Sequence, residues 1–223
     1  MIFVYIMKYK EKSMKETENT LKNKIYEALF SDIINGKYPP DTILTEKCLM
    51  DKYQVSRAPI REALTQLTAT SVLSSIPRQG YKIYEPDSIQ LLEICKFRSA
   101  MESSFLRTCR SYISKRDVQD LRQLCHENSS GSADDFIPHW HSNCKFHLQL
   151  FSYYQNDYAY KLLKESLQIQ TIFFTHKKTA IKQDLHLALL DYIEKDDLTT
   201  ATTILKADIE NLLLPSFLLP SRE

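Results

Sequence analysis

From residue 20 onward the apolar positions fall mostly three or four apart, the period of an amphipathic helix. Leu21, Ile25, Leu29, Ile33 and Ile34 predict a helix over residues 20–35, with Thr20 as a cap and Asn35-Gly36 as the stop. Tyr38-Pro39-Pro40-Asp41 reads as a turn and Thr42-Ile43-Leu44 as a very short strand. Leu44, Leu49 and Met50 give an apolar side to a helix from Thr45 to Tyr53. Ser56 then stands where an N-cap belongs, its hydroxyl expected to accept from a first-turn amide. Pro59 falls in that first turn, where a missing N–H costs nothing. Ile60, Ala63, Leu64 and Leu67 form the stripe of this helix, and Arg57 and Arg61 share a face away from it. Val72–Ile76 and Tyr81–Tyr84 alternate like strands, with Pro77-Arg78-Gln79-Gly80 turning between them.

The pattern changes after Glu85-Pro86-Asp87, a hinge because proline biases its predecessor out of the helical region. No strand signal follows. Six helices are predicted, over 88–112, 115–127, 133–154, 157–176, 178–195 and 197–214. Leu91, Leu92, Ile94, Cys95, Ala100 and Leu106 line the first, and Phe136, Trp140, Phe146, Leu150 and Phe151 the third. Ile169, Ile172 and Phe173 mark the fourth, Leu189 and Ile193 the fifth, and Leu205, Ile209 and Leu212 the last. The expected fold is mainly α, an N-terminal winged helix-turn-helix domain joined to an all-α antiparallel bundle. The expected boundaries are an arm at 1–19, the winged helix at 20–84, the hinge at 85–87, the bundle at 88–215 and a tail at 216–223.

A short helix, a turn and a second helix with arginines at its start is the pattern of a major-groove reader, whose N-terminal residues meet the bases. The alternative is two core helices with two solvated arginines. The hairpin that follows makes a wing, with Arg78 and Gly80 at its tip and room there for close backbone approach to DNA. Charge agrees. Residues 1–84 carry 13 Lys and Arg against 9 Asp and Glu, whereas residues 85–223 carry 16 against 19. With 43% hydrophobic and 26% charged residues the composition is that of a globular protein. Three glycines argue against glycine-rich phosphate loops, and five scattered cysteines without a CxxC pair suit reduced thiols in a cytoplasmic protein. The apolar MIFVYIM start is too short to span a membrane and lacks the flanks of a signal peptide.

The run from Ile25 to Ile83 closely resembles the winged helix of the GntR family of bacterial transcription regulators. The NGKYPPDTILTE segment, the VSRAPIREAL core and the RQGYKI wing carry the resemblance. It implies that Lys47, Ser56, Arg57, Arg61 and the wing at Gly80 meet DNA, and Thr45, Arg78 and Gln79 complete the candidate set. The chain departs twice, with Asp41 and Ser71 at turn positions where the family usually has glycine.

Within the bundle, Asn143 and His147 are four apart and project from one helix face, with His139 a further turn back. His186 and Asp208 lie at similar distances on either side of the Asp196-Asp197 turn, so a hairpin returns both to one height, about 15 Å from it. Two imidazoles, a carboxylate and an amide oxygen then converge as bundle metal sites do. Such donors suit zinc, nickel, manganese or iron. The plain alternative is polar residues hydrogen-bonded beside a core. His126, His141 and His176 show no partner pattern.

Residues 88–212 resemble the FCD domain, the helical effector-sensing half of FadR-type GntR regulators. The motifs are FRSAME (Phe97 to Glu102), NCKFH (Asn143 to His147) and the two final helices. The resemblance implies a metal held by one acidic residue and three histidines, with a small organic acid joining it. Carried over, the metal positions are Asn143, His147, His186 and Asp208. Asn stands where Asp is usual and Asp where the last His is usual, so the formal ligand charge is kept but moved. Arg98 is the candidate for gripping an effector carboxylate bidentately, or else it pairs internally with Glu102. The expected protein is a homodimeric repressor on a near-palindromic operator, its DNA affinity set by a small carboxylate metabolite. The rival readings are a bundle that only dimerises and a metal-dependent enzyme with a DNA-binding appendage. The enzyme reading lacks an HExxH-like pairing to supply a general base.

Overall fold

A computed structural model describes residues 21–39, 41–128, 136–177 and 185–210, excluding the side chains at 127–128, 136–138 and 176–177. The expected arm, Thr20, Pro40, the Phe136 side chain, Leu212, the tail, residues 129–131 and the first part of the helix expected over 178–195 lie outside what is described. The chain divides into two compact units, Met1–Glu85 and Pro86–Glu223.

The first unit runs α1 (Leu21–Ile34), β1 (Ile43–Leu44), α2 (Glu46–Tyr53), α3 (Arg57–Ala69), β2 (Leu73–Ile76) and β3 (Gly80–Ile83). Ile25, Leu29 and Ile33 of α1, Leu49 of α2 and the Ile60, Ala63, Leu64, Leu67 stripe of α3 are all at most 5% exposed, and α3 packs on both other helices. Each such Ile or Leu contributes about 1.5–3 kcal/mol by leaving water. Leu21 is half exposed despite its place in the pattern. The sheet has three strands where the alternation suggested a two-stranded hairpin. Its order is β1-β3-β2, with Leu44 opposite Tyr81 and Ile76 opposite Gly80. Gly80 therefore belongs to a strand and not to the turn. Its φ is +139°, and a Cβ there would stand 2.5 Å from the Leu44 carbonyl oxygen. The close approach that this glycine permits is between β3 and β1.

Helix ends follow local chemistry. Thr45 caps α2, its Oγ1 accepting from the Cys48 amide at 3.2 Å. Ser56 has the extended backbone of a cap for α3 but makes no side-chain cap bond, contrary to the sequence expectation. Pro59 occupies the third helical position and so removes one of the two amides that a capping hydroxyl can use. α3 ends in a Schellman motif, with the Val72 amide on the Leu67 carbonyl and the Ser71 amide on that of Thr68. Ser71 takes the left-handed φ of +54° there, the conformation that glycine adopts without strain.

Asp32 joins α1 to α2. It accepts from Lys37 at 2.6 Å, Lys52 at 2.7 Å and Tyr53 at 3.0 Å, and Lys52 also reaches the Tyr38 hydroxyl at 2.6 Å. Burial pushes the Asp32 carboxyl up, but the three donors outweigh it and hold it at about 2.

The second unit runs α4 (Ser88–Thr108), a 3-10 turn (Arg110–Tyr112), α5 (Lys115–Asn128), α6 (Phe136–Ser152), α7 (Asp157–Lys177), α8 (His186–Glu194) and α9 (Leu198–Glu210). The first helix was expected to reach residue 112. It stops at Thr108, and the 3-10 turn completes the span. α4 packs on α7 and α9, α6 on α5 and α7, and α8 on α5 and α9. Trp140, Phe146, Leu150, Phe151, Leu189, Ile193 and Leu205 build the core, whereas Ala100 is exposed. Trp140 donates its Nε1–H to Thr171 Oγ1 at 2.8 Å, which satisfies its one polar atom. The five cysteines are all free thiols. Among the described residues no helix is long and apolar enough to cross a membrane.

Both Ser71 and Asp32 can be tested by unfolding. Ser71→Gly relieves the left-handed strain and raises stability by about 0.5–1 kcal/mol, measured in urea. Asp32→Asn lowers stability at neutral pH by about 1–3 kcal/mol. Because the folded carboxyl sits near 2, below its ordinary 3.8, the advantage of Asp32 is full above the ordinary value. It fades as pH falls toward 2, so the unfolding midpoints of wild type and Asp32→Asn should converge in acid.

Candidate functional site

Lys47, Ser56, Arg57, Arg61, Arg78 and Gln79 are exposed, while Thr45 and Gly80 are partly so. Arg57 and Arg61 start α3 on one face, and both meet Glu46 at the start of α2. Arg57 Nε lies 3.2 Å from one Glu46 carboxylate oxygen and Arg61 Nε 3.1 Å from the other. Arg78 sits at the wing tip with φ of +64°, after Pro77 in a turn closed by the Gln79 amide on the Ile76 carbonyl. That is the pattern of a type II turn with arginine where glycine is usual. It aims an exposed cation outward from a rigid hairpin.

The second site lies inside the helical unit. His147 Nε2 is 3.2 Å and His186 Nε2 3.3 Å from the same oxygen, Asp208 Oδ2. One ligand atom from each of the three lies within 4.8 Å of the others, and all three residues are buried. The four positions grouped by spacing do come together, since Asn143 Nδ2 is 3.4 Å from His186 Nε2. His139, a turn further back on α6, is outside the group. The other Asp208 oxygen accepts from the Leu185 amide at 2.7 Å, which pins the start of α8 and so places His186. The Phe146 ring stacks on the His186 ring with centroids 3.8 Å apart and fixes its plane.

Behind His147 stands a buried chain of polar groups. His147 Nδ1 is 2.7 Å from Glu102 Oε2, and Glu102 Oε1 accepts from Arg98 Nε at 2.8 Å. Arg98 Nη1 donates to Gln170 Oε1 at 2.7 Å, and Gln170 Nε2 to Cys95 Sγ at 3.2 Å. Arg98 is thus paired internally, and each of its two bidentate edges, Nε/Nη2 and Nη1/Nη2, has one donor already engaged. Arg98 Nη2 and Asn143 Oδ1 are buried without a hydrogen-bond partner. Burial raises the Glu102 and Asp208 carboxyls, but Arg98 and His147 outweigh it for Glu102, and His186 and His147 do so for Asp208. Both end below the ordinary carboxylate range. Burial lowers His147, but Glu102 and Asp208 overcome this and Arg98, and its imidazole is raised.

This donor set fits a divalent cation. Ligand atoms around a tetrahedral ion with bonds of about 2.1 Å stand about 3.4 Å apart; the two distances to Asp208, 3.2 and 3.3 Å, are close to that, and the two imidazole nitrogens lie within 4.8 Å of each other. The Asn143 atom beside His186 is Nδ2, while Oδ1, the amide atom able to ligate, is buried without a hydrogen-bond partner. Arg98 and Glu102 neutralise each other, so the charge of Asp208 is balanced either by a protonated imidazole or by a cation between neutral ones. His147 carries the outer carboxylate typical of a ligating histidine. Glu102's contact with His147, the role of Gln170 and the Glu46 fork escaped the sequence. Glu102 sits one turn from Arg98 on a face otherwise apolar or small, and that was a signal. Gln170 and Glu46 left none.

A winged helix with exposed arginines at the start of its second helix-turn-helix helix suits binding in a DNA groove. Residues 21–83 match the family model for bacterial regulatory proteins of the gntR family. The chain is 24% identical over 231 residues to the Uxu operon regulator of Haemophilus influenzae, covering 92% of this chain and 85% of that one. It is 35% identical over 78 residues to the HTH-type transcriptional repressor GlaR of Escherichia coli, 35% of this chain and 36% of that one. The fold is similar to that of E. coli McbR/YncC, with a TM-score of 0.73 at 18% identity over 87% of this chain and 95% of that one. These relatives are named as regulators and not as enzymes. Residues 21–83 thus match the DNA-binding winged helix of the gntR family, and the relatives that the chain resembles are named as transcriptional regulators.

Glu102→Ala strands Arg98 and removes the His147 partner. It should cost about 3–5 kcal/mol in urea unfolding. Arg122→Ala at the exposed Asp191–Glu194 pair should cost about 0–1 kcal/mol in the same assay.

Proposed function

We propose that the helical unit is an FCD-like effector domain, and that a small carboxylate ligand held there with a divalent metal weakens operator binding. The observation that carries this reading is the convergence of His147, His186 and Asp208 beside two orphaned buried atoms, Asn143 Oδ1 and Arg98 Nη2. Asn143, His147, His186 and Asp208 would hold the ion, and zinc, nickel, manganese or iron suit that set. When bound, the ion supplies a Lewis-acid centre for an oxygen of the ligand. Arg98 offers the ligand one N–H from Nη2, while Glu102 and Gln170 hold the guanidinium still. Glu102 orients His147, Leu185 anchors Asp208, and Phe146 holds the His186 ring.

Groups on α4, α6, α8 and α9 thereby share one ligand, which favours whichever helix arrangement binds it better. In a homodimer that arrangement sets the spacing of two winged helices against a near-palindromic operator. On the DNA side, Lys47, Ser56, Arg57, Arg61 and the wing at Arg78, Gln79 and Gly80 meet the duplex, with Thr45 capping the helix beside them. The protein acts in the cytoplasm as a repressor released by its ligand.

One observation favours a second reading, a bundle that dimerises and binds no effector: Asp208 already satisfies both imidazoles. Elemental analysis of protein purified without chelator decides between them, alongside a thermal-shift screen of small carboxylates. The proposal expects a stoichiometric divalent metal, lost in His147→Ala combined with His186→Ala. It also expects a carboxylate that stabilises by about 2.7 kcal/mol at a hundredfold excess over Kd. Metal-free wild-type protein would sink the metal, and a screen without a shift would sink the effector.

A further inference from the structure

We infer that Glu46 determines how selectively this protein reads DNA, by holding Arg57 and Arg61 in register and cancelling one of their charges. The inference rests on Arg57 and Arg61 being the groove residues. Glu46 opens α2 directly after the Thr45 cap, where the helix dipole favours a carboxylate. Its side chain is 27% exposed, against 65% and 66% for the two arginines. The base of the fork is therefore the more buried part, and the arginines radiate from it.

The carboxylate divides its oxygens, Oε2 to Arg57 and Oε1 to Arg61. Two exposed arginines on one helix face otherwise sample many rotamers and lose that freedom only when DNA arrives. A shared anchor restrains both beforehand, which is preorganisation. Both pairs use Nε, so the terminal Nη atoms remain the outward donors. A guanidinium needs such donors to meet guanine O6 and N7. With both oxygens engaged, Glu46 is not placed to accept from cytosine N4, the base-edge role open to a carboxylate.

The second effect is electrostatic. Two guanidiniums and one carboxylate present a single net positive charge where two would otherwise face the phosphates. Non-specific affinity comes almost wholly from phosphate neutralisation. Glu46 therefore lowers it while keeping the arginines aimed, and both effects raise the ratio of specific to non-specific binding.

A duplex enriched from a random library by the wild-type protein serves as the specific probe for the test, and poly(dI-dC) as the non-specific one. Affinities are measured by fluorescence anisotropy across a salt series for wild type, Glu46→Gln, Glu46→Asp and Arg61→Ala. Glu46→Gln should bind poly(dI-dC) several-fold more tightly, with the slope of log K on log salt steeper by about 0.9. It should bind the selected duplex no more tightly, so the specificity ratio falls about tenfold. Glu46→Asp keeps the charge but not the reach. It should retain the wild-type salt slope and still lose part of the ratio, and it carries the test if Glu46→Gln does not fold. Unchanged slope and ratio in Glu46→Gln would overturn the inference, as would parallel loss of both affinities, the mark of a merely structural residue. If Arg61→Ala binds the selected duplex like wild type, the groove assignment fails on its own account, whatever the Glu46 variants do.

Discussion

The helical unit depends on one buried carboxylate. Glu102 stands between Arg98 and His147, giving one oxygen to each, at 2% exposure. An isolated ion at that depth costs several kcal/mol, and neither Glu102 nor Arg98 is tolerable there without the other. Their pairing draws α4 to α6, and Gln170 brings α7 to the same guanidinium. Once His147 is oriented by Glu102, its far nitrogen points at Asp208. Asp208 in turn holds the Leu185 amide and with it the first residue of α8. Five helices are thus placed by a chain of polar contacts running through an otherwise apolar core. Each link is short enough that moving one helix breaks its neighbour's contact.

The winged helix uses the same device near its surface. Asp32 gathers Lys37, Lys52 and Tyr53, and so ties the end of α1 to the last turn of α2. At the opposite end of α2, Glu46 gathers Arg57 and Arg61 of α3. α2 is eight residues long and contributes one buried apolar side chain, Leu49. Its orientation is therefore set largely by these two acidic groups, one at each end. In a domain this small, apolar area alone leaves little margin, and shared carboxylates supply directional constraints that a Leu-rich contact does not.

Much of this was legible in the chain because helix periodicity and capping are local. The Ile60, Ala63, Leu64, Leu67 stripe and the stop at Asn35-Gly36 depend on residues within one or two turns. So does the start of the last helix at Leu198, where Asp197 takes the Thr200 amide. What escaped was mostly non-local. β1 joins the sheet because Gly80 lets β3 approach Leu44, a contact between residues 36 positions apart. Ser56 makes no cap bond, and Pro59 withholds one of the two N–H groups it could have used. In the bundle, spacing grouped Asn143, His147, His186 and Asp208. The four-residue spacing allowed for the Arg98–Glu102 pair, but nothing in it said that Arg98 would give its Nη1 to a glutamine 72 residues away.

The departure from the family's ligand pattern also has a structural logic. Where the resemblance leads one to expect histidine, Asp208 offers one oxygen to both imidazoles and the other to the Leu185 amide. A neutral imidazole has a single lone pair in the ring plane. It can face the proposed ion or accept the Leu185 N–H, but not both. With a carboxylate at 208 the tether of α8 and the donor to the site become the same residue. The charge that the family pattern places on α6 is then carried by α9. A second carboxylate at 143 would face Asp208 across His186 in a low-dielectric interior, where like charges repel strongly. A neutral Asn143 avoids that repulsion.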